Sequence, residues 1–174
     1  VKGGKYKACI CGGIGQGVLG TDQLDIRLDF DDVRFRGGCL GLGTAGMVVM
    51  NQHTDLGKAL RNVVRFFSHE SCGQCTPCRE GTTWMAKIMD RIVAGDGRLK
   101  DLDILMELEK SMGALPGTTI CGLAGANSWA TRTFINKFYD EFAAKCSTAA
   151  EVLPTKLRRG TLNVLTPIGS NRRN

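Results

Sequence analysis

From Thr54 onward, apolar residues recur every three or four positions, the spacing of one face of an α-helix. Leu56, Leu60, Val63, Val64 and Phe67 form the first such stripe, and Thr54 is its expected N-cap. Trp84, Ile88, Arg91 and Ile92 form a second, stopped by Gly95. "LKDLDILMELEKSMG" predicts a third helix, ending at Gly113. A fourth runs through "NSWATRTFINKFYDEFAAK", with Trp129, Phe134, Ile135, Phe138 and Phe142 as core contacts. Four amphipathic helices with short connections predict a helix bundle over residues 54–146. Ahead of it the period shortens. Tyr6 to Cys11 predicts a strand, "LDIRLDF" alternates at strand period, "DDVRFRGG" reads as one helical turn, and Met47 to Met50 predicts a buried strand. Residues 1–53 are thus a small α+β unit, and residues 147–174 lose periodicity and read as a basic extended tail.

Composition agrees with a globular protein, at 43% hydrophobic and 23% charged residues. The net charge of +6 suggests nucleic acid until it is located. Lys156, Arg158, Arg159, Arg172 and Arg173 stand against Glu151 alone in the tail, so most of the surplus lies there. With no aromatic stacking platform beside it, the tail reads as solvated or as lying on an acidic partner, and no nucleic acid is expected. No apolar run approaches the ~20 residues of a membrane span, and no secretory or transit signature opens the chain. The glycines of "GGIGQGVLGTDQ" lack the G-x-G-x-x-G spacing and a helix directly behind them, so they read as turns, not a nucleotide site.

The candidate chemistry lies in the eight cysteines. In "SHESCGQCTPCREG", Cys72, Cys75 and Cys78 stand at x2 spacing, with Pro77 before the third. Cys121 follows the third helix; a hairpin of helices two and three would return it to this loop. Three close thiolates plus one remote thiolate are a usual way of holding a [4Fe–4S] cubane. N–H groups at the helix start and the charge of Arg79 would then stabilise the reduced cluster. Zinc is the rival, although structural zinc usually draws its cysteines as two separated pairs. Cys9, Cys11, Cys39 and Cys146 read as small buried apolar residues. His69 reads as a cap at the end of the first helix, Glu70 and Glu80 as hydrogen-bonding scaffold, and the Met and Trp residues of the helices as core.

"HESCGQCTPCREG" and "TTICGLA" resemble the cluster segment of the flavoprotein subunit of NADH:quinone oxidoreductase, respiratory complex I. They also resemble the diaphorase subunits of NAD-dependent formate dehydrogenases and NAD-reducing hydrogenases. Upstream, "LDIRLDFDDVRFRGGCLGLGTAGMVVM" is similar to that family's β-grasp-like ligand-binding domain, so the resemblance runs from about residue 1 to 145. It implies an α+β protein: a β-grasp-like domain over 1–53, then a four-helix iron–sulfur domain over 54–146. Cys72, Cys75, Cys78 and Cys121 are by this resemblance the cluster ligands. It further implies an electron-transfer subunit or fragment of a multi-subunit oxidoreductase, relaying single electrons from a flavin. FMN and NADH are expected on a missing domain or partner chain, because the glycine-rich half that holds them in the family is absent. The expected partners are a flavin-bearing domain or subunit and other iron–sulfur subunits, with membrane contact only through the complex. The expected compartment is reducing: the cytoplasmic side of a prokaryotic membrane or the mitochondrial matrix. "GLAGANSWATRTF" departs from the family in lacking an aspartate and a proline that many members carry there. Two other functions remain open: a degenerate paralogue serving assembly, and a zinc-stapled interaction module.

Overall fold

The computed structural model describes residues 3–114 and 117–147. The chain opens with β1 (Tyr6–Cys11), as its pattern predicts, followed by β2 (Val18–Leu19), α1 (Phe30–Phe35) and β3 (Met47–Asn51). β1 is central in an antiparallel sheet of order β2-β1-β3, pairing Cys9 with Leu19 and Val49, and Ile10 with Val18 and Val48. Successive side chains of a strand point to opposite faces. Ala8 and Ile10 accordingly enter the main core with the helices, while Cys11 joins Leu19, Val33 and Cys39 in a small second core.

"LDIRLDF" is not a strand. Its polar residues bond locally instead: Asp29 caps α1 by accepting from the Asp32 N–H at 2.7 Å, and Asp32 accepts from the Arg27 N–H at 3.0 Å and from Arg36 at 2.9 Å. Such side-chain-to-backbone bonds compete with a strand ladder. The alternating Leu24 and Leu28 are left exposed.

The helices follow: α2 (Leu56–His69), α3 (Thr76–Ala94), the two-residue β4 (Gly97–Arg98), α4 (Leu99–Glu109), α5 (Leu123–Lys137), α6 (Tyr139–Ala143) and β5 (Cys146–Ser147). All five expected apolar residues of α2 are buried. Its cap is Asp55, not Thr54: the Asp55 carboxylate accepts from the Lys58 N–H at 3.1 Å. Gly95, left-handed at φ 91°, ends α3 as expected. The third helix is α-helical only to Glu109, after which Lys110–Ala114 widens into a π turn. The fourth starts earlier, at Leu123, and breaks at Phe138, whose backbone (φ −127°, ψ 31°) is not helical. Trp84 is 53% exposed and Trp129 only half-buried, so neither is the core residue expected. Ser147 pairs in parallel with Arg98, and the rest of the expected tail lies outside the described residues.

Two buried carboxylates, each paired with arginine, fix how α3, α4 and α5 stack. Asp101, fully buried, accepts from Arg91 of α3 at 2.7 Å and from the Arg98 N–H at 2.9 Å, tying α4 back against α3. Glu109 and Arg132, both almost fully buried, meet at 2.6 Å between α4 and α5, with the Arg132 guanidinium 4.8 Å over the Trp129 ring. The sheet is fastened to α5 by Lys137, whose ammonium donates to the Val18 carbonyl, the Gln23 side chain and the Gly37 carbonyl at 2.6, 2.8 and 2.5 Å.

Arg132→Met should destabilise the protein by roughly 3–5 kcal/mol, because Glu109 is left buried without its cation. Glu109→Leu combined with Arg132→Met should recover most of that loss in denaturant unfolding. Burial pushes the Asp101 carboxyl up, but its bonds from Arg91 and Arg98 outweigh this and hold it below the usual carboxylate range. A depressed folded pKa gives stability above the unfolded value of about 3.9, lost as pH falls through the folded one. Asp101→Asn should therefore cost stability at neutral pH, and the gap between thermal melts of variant and parent should begin to narrow below about pH 4 and go on narrowing down through the depressed folded pKa.

Candidate metal centre

At the N-terminal end of α3 the chain is shaped by its own residue types. Cys75 is the N-cap, with extended backbone, and Pro77 occupies the first turn, where a missing N–H forfeits no helical bond. Gly73, at φ +76°, turns the loop between Cys72 and Cys75 in a conformation that strains other residues. Arg79 holds that loop: it donates to the Gly73 carbonyl at 2.8 Å, to the Thr76 hydroxyl at 3.4 Å and to the Glu80 carboxylate at 2.9 Å. The Thr82 hydroxyl donates to the Cys78 carbonyl at 2.7 Å, anchoring the helix side of the site. From the other direction, residues 117–122 bring Cys121 to the same place before α5 begins.

The result is a cavity of about 210 Å³ bordered by Cys72, Cys75, Cys78 and Cys121, together with Ile120 and Leu123. Cys78 is buried, Cys75 half-buried, and Cys72 and Cys121 exposed; all four are free thiols. Burial pushes the Cys78 thiol up, and the charges of Cys75, Cys121 and Cys72 add to this, while the Ser71 hydroxyl, 3.3 Å away, works against it. The Cys75 thiol is held below its ordinary value, chiefly by the Ile120 backbone N–H and further by that of Cys78, in spite of partial burial. Among the described residues no group of three or more His, Cys, Asp or Glu side chains is gathered tightly enough for one metal ion. The thiols edge a cavity instead of meeting at a point. That suits an eight-atom cubane better than a single tetrahedral ion.

The other cysteines stand elsewhere. Cys9, Cys11, Cys39 and Cys146 are buried, and burial pushes the Cys39 thiol up to about 11. His69 neither borders the cavity nor caps α2: its side chain is 86% exposed and lies 3.0 Å from the Glu70 carboxylate. Glu70 borders the cavity and Glu80 pairs with Arg79, so only Glu80 serves the loop through a hydrogen bond. The residues missed from sequence are Ser71, Gln74, Ile120 and Leu123. Each is a neighbour, in sequence, of a cysteine-bearing segment, and adjacency was the one signal available.

The sequence profile of the NADH-ubiquinone oxidoreductase-F iron-sulfur binding region matches residues 58–145. The chain belongs to this family. The F subunit of the NADH-quinone oxidoreductase of Rickettsia rickettsii (strain Sheila Smith) is 42% identical over 147 residues, which is 83% of this chain and 34% of that protein. Its Rhodobacter capsulatus counterpart is 40% identical over 144 residues, 81% of this chain and 32% of its own. Among solved structures, an NAD+-reducing [NiFe]-hydrogenase in the H2-reduced state matches with a TM-score of 0.71 at 28% identity, over 83% of this chain and 24% of that one. The chain thus spans about a third of the length of the curated relatives it matches. Membership indicates a [4Fe–4S] cluster, and the thiol-lined cavity fits one in donor chemistry. No helix among the described residues is long and apolar enough to cross a membrane.

In the metal-free chain, brief alkylation should label Cys72, Cys121 and Cys75 first, the two exposed thiols and the acidified one. Cys9, Cys11, Cys39, Cys78 and Cys146 should react only on unfolding, as peptide mass spectrometry would show.

Proposed function

We propose that Cys72, Cys75, Cys78 and Cys121 hold a [4Fe–4S] cluster, and that this chain is the electron-relay portion of an NADH:quinone oxidoreductase-type complex. The observation that carries the reading is that four free thiols from two distant segments border one cavity. When bound, the cluster supplies one-electron chemistry. The chain's own groups do the rest. Cys78, on the first turn of α3, sets the inner corner of the site, and Cys121 closes it from the far segment. The N–H groups of Ile120 and Cys78 lower the cost of negative charge on the Cys75 sulfur, the kind of hydrogen bond that raises a reduction potential. Ile120 and Leu123 give the cavity an apolar wall, which lessens water contact on the inner side of the site. Cys72 and Cys121 leave one rim at the surface, where a redox partner can come close.

FMN and NADH belong on this reading to the part of the polypeptide, or the partner chain, that corresponds to the other two-thirds of the relatives. Residues 1–53 form a β-grasp-like unit that meets neighbouring subunits, and residues 54–146 a four-helix bundle around the thiols. The compartment is on this reading a reducing one, where thiols are kept from pairing as disulfides before they take up iron.

Cys121→Ser should lower iron and acid-labile sulfide and abolish or alter the low-temperature EPR signal of the reduced protein, while Cys146→Ser leaves all three unchanged. Four irons per chain retained after Cys121→Ala, with an unchanged signal, would overturn the ligand set. Stoichiometric zinc in place of iron would overturn the cluster itself.

A further inference from the structure

The outer seam between α2 and α3 carries positive charge that the chain leaves uncompensated. Arg61 of α2 bonds Asp90 of α3, and Arg65 lies 3.8 Å from the same carboxylate oxygen, so two guanidinium groups share one anion. Further along, the Ser68 and Thr83 hydroxyls meet at 3.4 Å. These two cross-links fix the antiparallel register of the pair. Arg65 is four residues from Arg61 and three from Ser68; Lys87 is four from Thr83 and three from Asp90. Residues three and four apart share a helix face, so Arg65 and Lys87 occupy the same outer stripe between the links. Both are exposed, and so is Lys58, one turn before Arg61.

Apart from Asp96, which follows the Gly95 stop nine residues beyond Lys87, the remaining acids of α2, α3 and their flanks are engaged elsewhere. Asp55 pairs with Lys145, Glu80 with Arg79, and Glu70 lies against His69. Lys58 and Lys87 form no ion pair among the described residues. Trp84, one turn before Lys87, leaves about half of its surface in water. Neighbouring like charges disfavour the isolated helix pair, and an exposed indole adds nothing to its stability. A protein surface that sets carboxylates opposite the cations and covers the indole reverses both effects.

We propose that this seam, centred on Arg65, Lys87 and Trp84, is the docking surface for an acidic face of a neighbouring protein subunit. The inference rests on reading the chain as one subunit of a redox complex. Tryptophan and arginine are the side chains that dominate protein–protein contacts, and a guanidinium pairs well with a carboxylate. A membrane fits poorly, because the apolar stripe of α2 is turned into the core. The location also suits the function. The Ser68–Thr83 link lies about one turn from Ser71, and Thr83 donates to the Arg79 carbonyl at 2.9 Å, beside the thiol-bearing loop. A neighbour seated here lies next to the rim of the cavity.

The test uses the assembled complex, purified with this chain in place. Carbodiimide cross-linking joins lysines to carboxylates without a spacer, and mass spectrometry should find Lys87 and Lys58 joined to Asp or Glu residues of one neighbouring subunit. Arg65→Glu with Lys87→Glu should reduce retention of that neighbour at least tenfold in gel filtration. Retention by the parent should fall with added salt, and the weak retention by the variant should not. Should the double reversal fold poorly, Lys87→Gln, at an exposed and unpaired position, should still lower retention severalfold. Iron per chain should not change in any of these variants. Cross-links only to a second copy of the chain, no cross-links from an intact complex, or retention unaffected by charge reversal would overturn the proposal. So would binding of the seam to anionic vesicles or RNA in place of the neighbouring protein. Loss of iron from the parent chain would instead overturn the metal assignment, leaving the cross-links to decide the docking surface.

Discussion

Everything at the thiol site depends on returning the chain to its starting end with the right phase. Three of the cysteines are local and position themselves around the start of α3. The fourth reaches them only because α4 runs back along α3, and α5 sets off from the point where that return ends. Asp101, buried against Arg91 and Arg98, fixes the first of these relations, and the Glu109–Arg132 pair fixes the second. Carboxylates buried this deeply are costly unless fully paired, which makes the two contacts intolerant of alternatives. That intolerance suits a site whose two halves have no other covalent reason to meet.

The environment of the thiols is graded from inside to outside. Cys78 is enclosed, Cys75 is half-enclosed and polarised by backbone N–H groups, and Cys72 and Cys121 face outward. The gradation follows from the helix start: its free N–H groups converge where the chain enters, while the glycine turn at Gly73 throws the preceding residue outward. Arg79 is less a source of positive charge at the sulfurs than a strut, since its donors are spent on Gly73, Thr76 and Glu80.

How much of this was legible in the sequence varies with the locality of the cause. The stripe Leu56–Leu60–Val63–Val64–Phe67, the strand Tyr6–Cys11 and the stop at Gly95 are set by local periodicity and backbone preference, and the chain follows them. The spacing of Cys72, Cys75 and Cys78 and the recurrence of a cysteine after the third helix pointed to the group of four that borders the cavity. Periodicity misled where local polar bonds won, as at Asp29 and Asp32, which hold "LDIRLDF" out of a ladder. It also misled where helical spacing was equated with burial, as at Trp84, whose face the helices leave uncovered. The π turn at Lys110–Ala114 and the bend at Phe138 leave the apolar spacing of their helices unbroken, so periodicity gave no sign of either.

Lys137 has a consequence for electron transfer that chain geometry alone would not suggest. One ammonium group is held by acceptors at Val18, Gln23 and Gly37, in three separate stretches of the sheet unit, and it sits at the far end of the helix that begins two residues after Cys121. A hinge between sheet and helices would have to break all three bonds in a partly buried place. The sheet therefore behaves as a rigid arm of the helix, and whatever it grips is held at a set distance from the sulfurs. If the thiols hold the proposed cluster, the arm acts as a ruler, setting the gap that an electron would cross without itself touching the path.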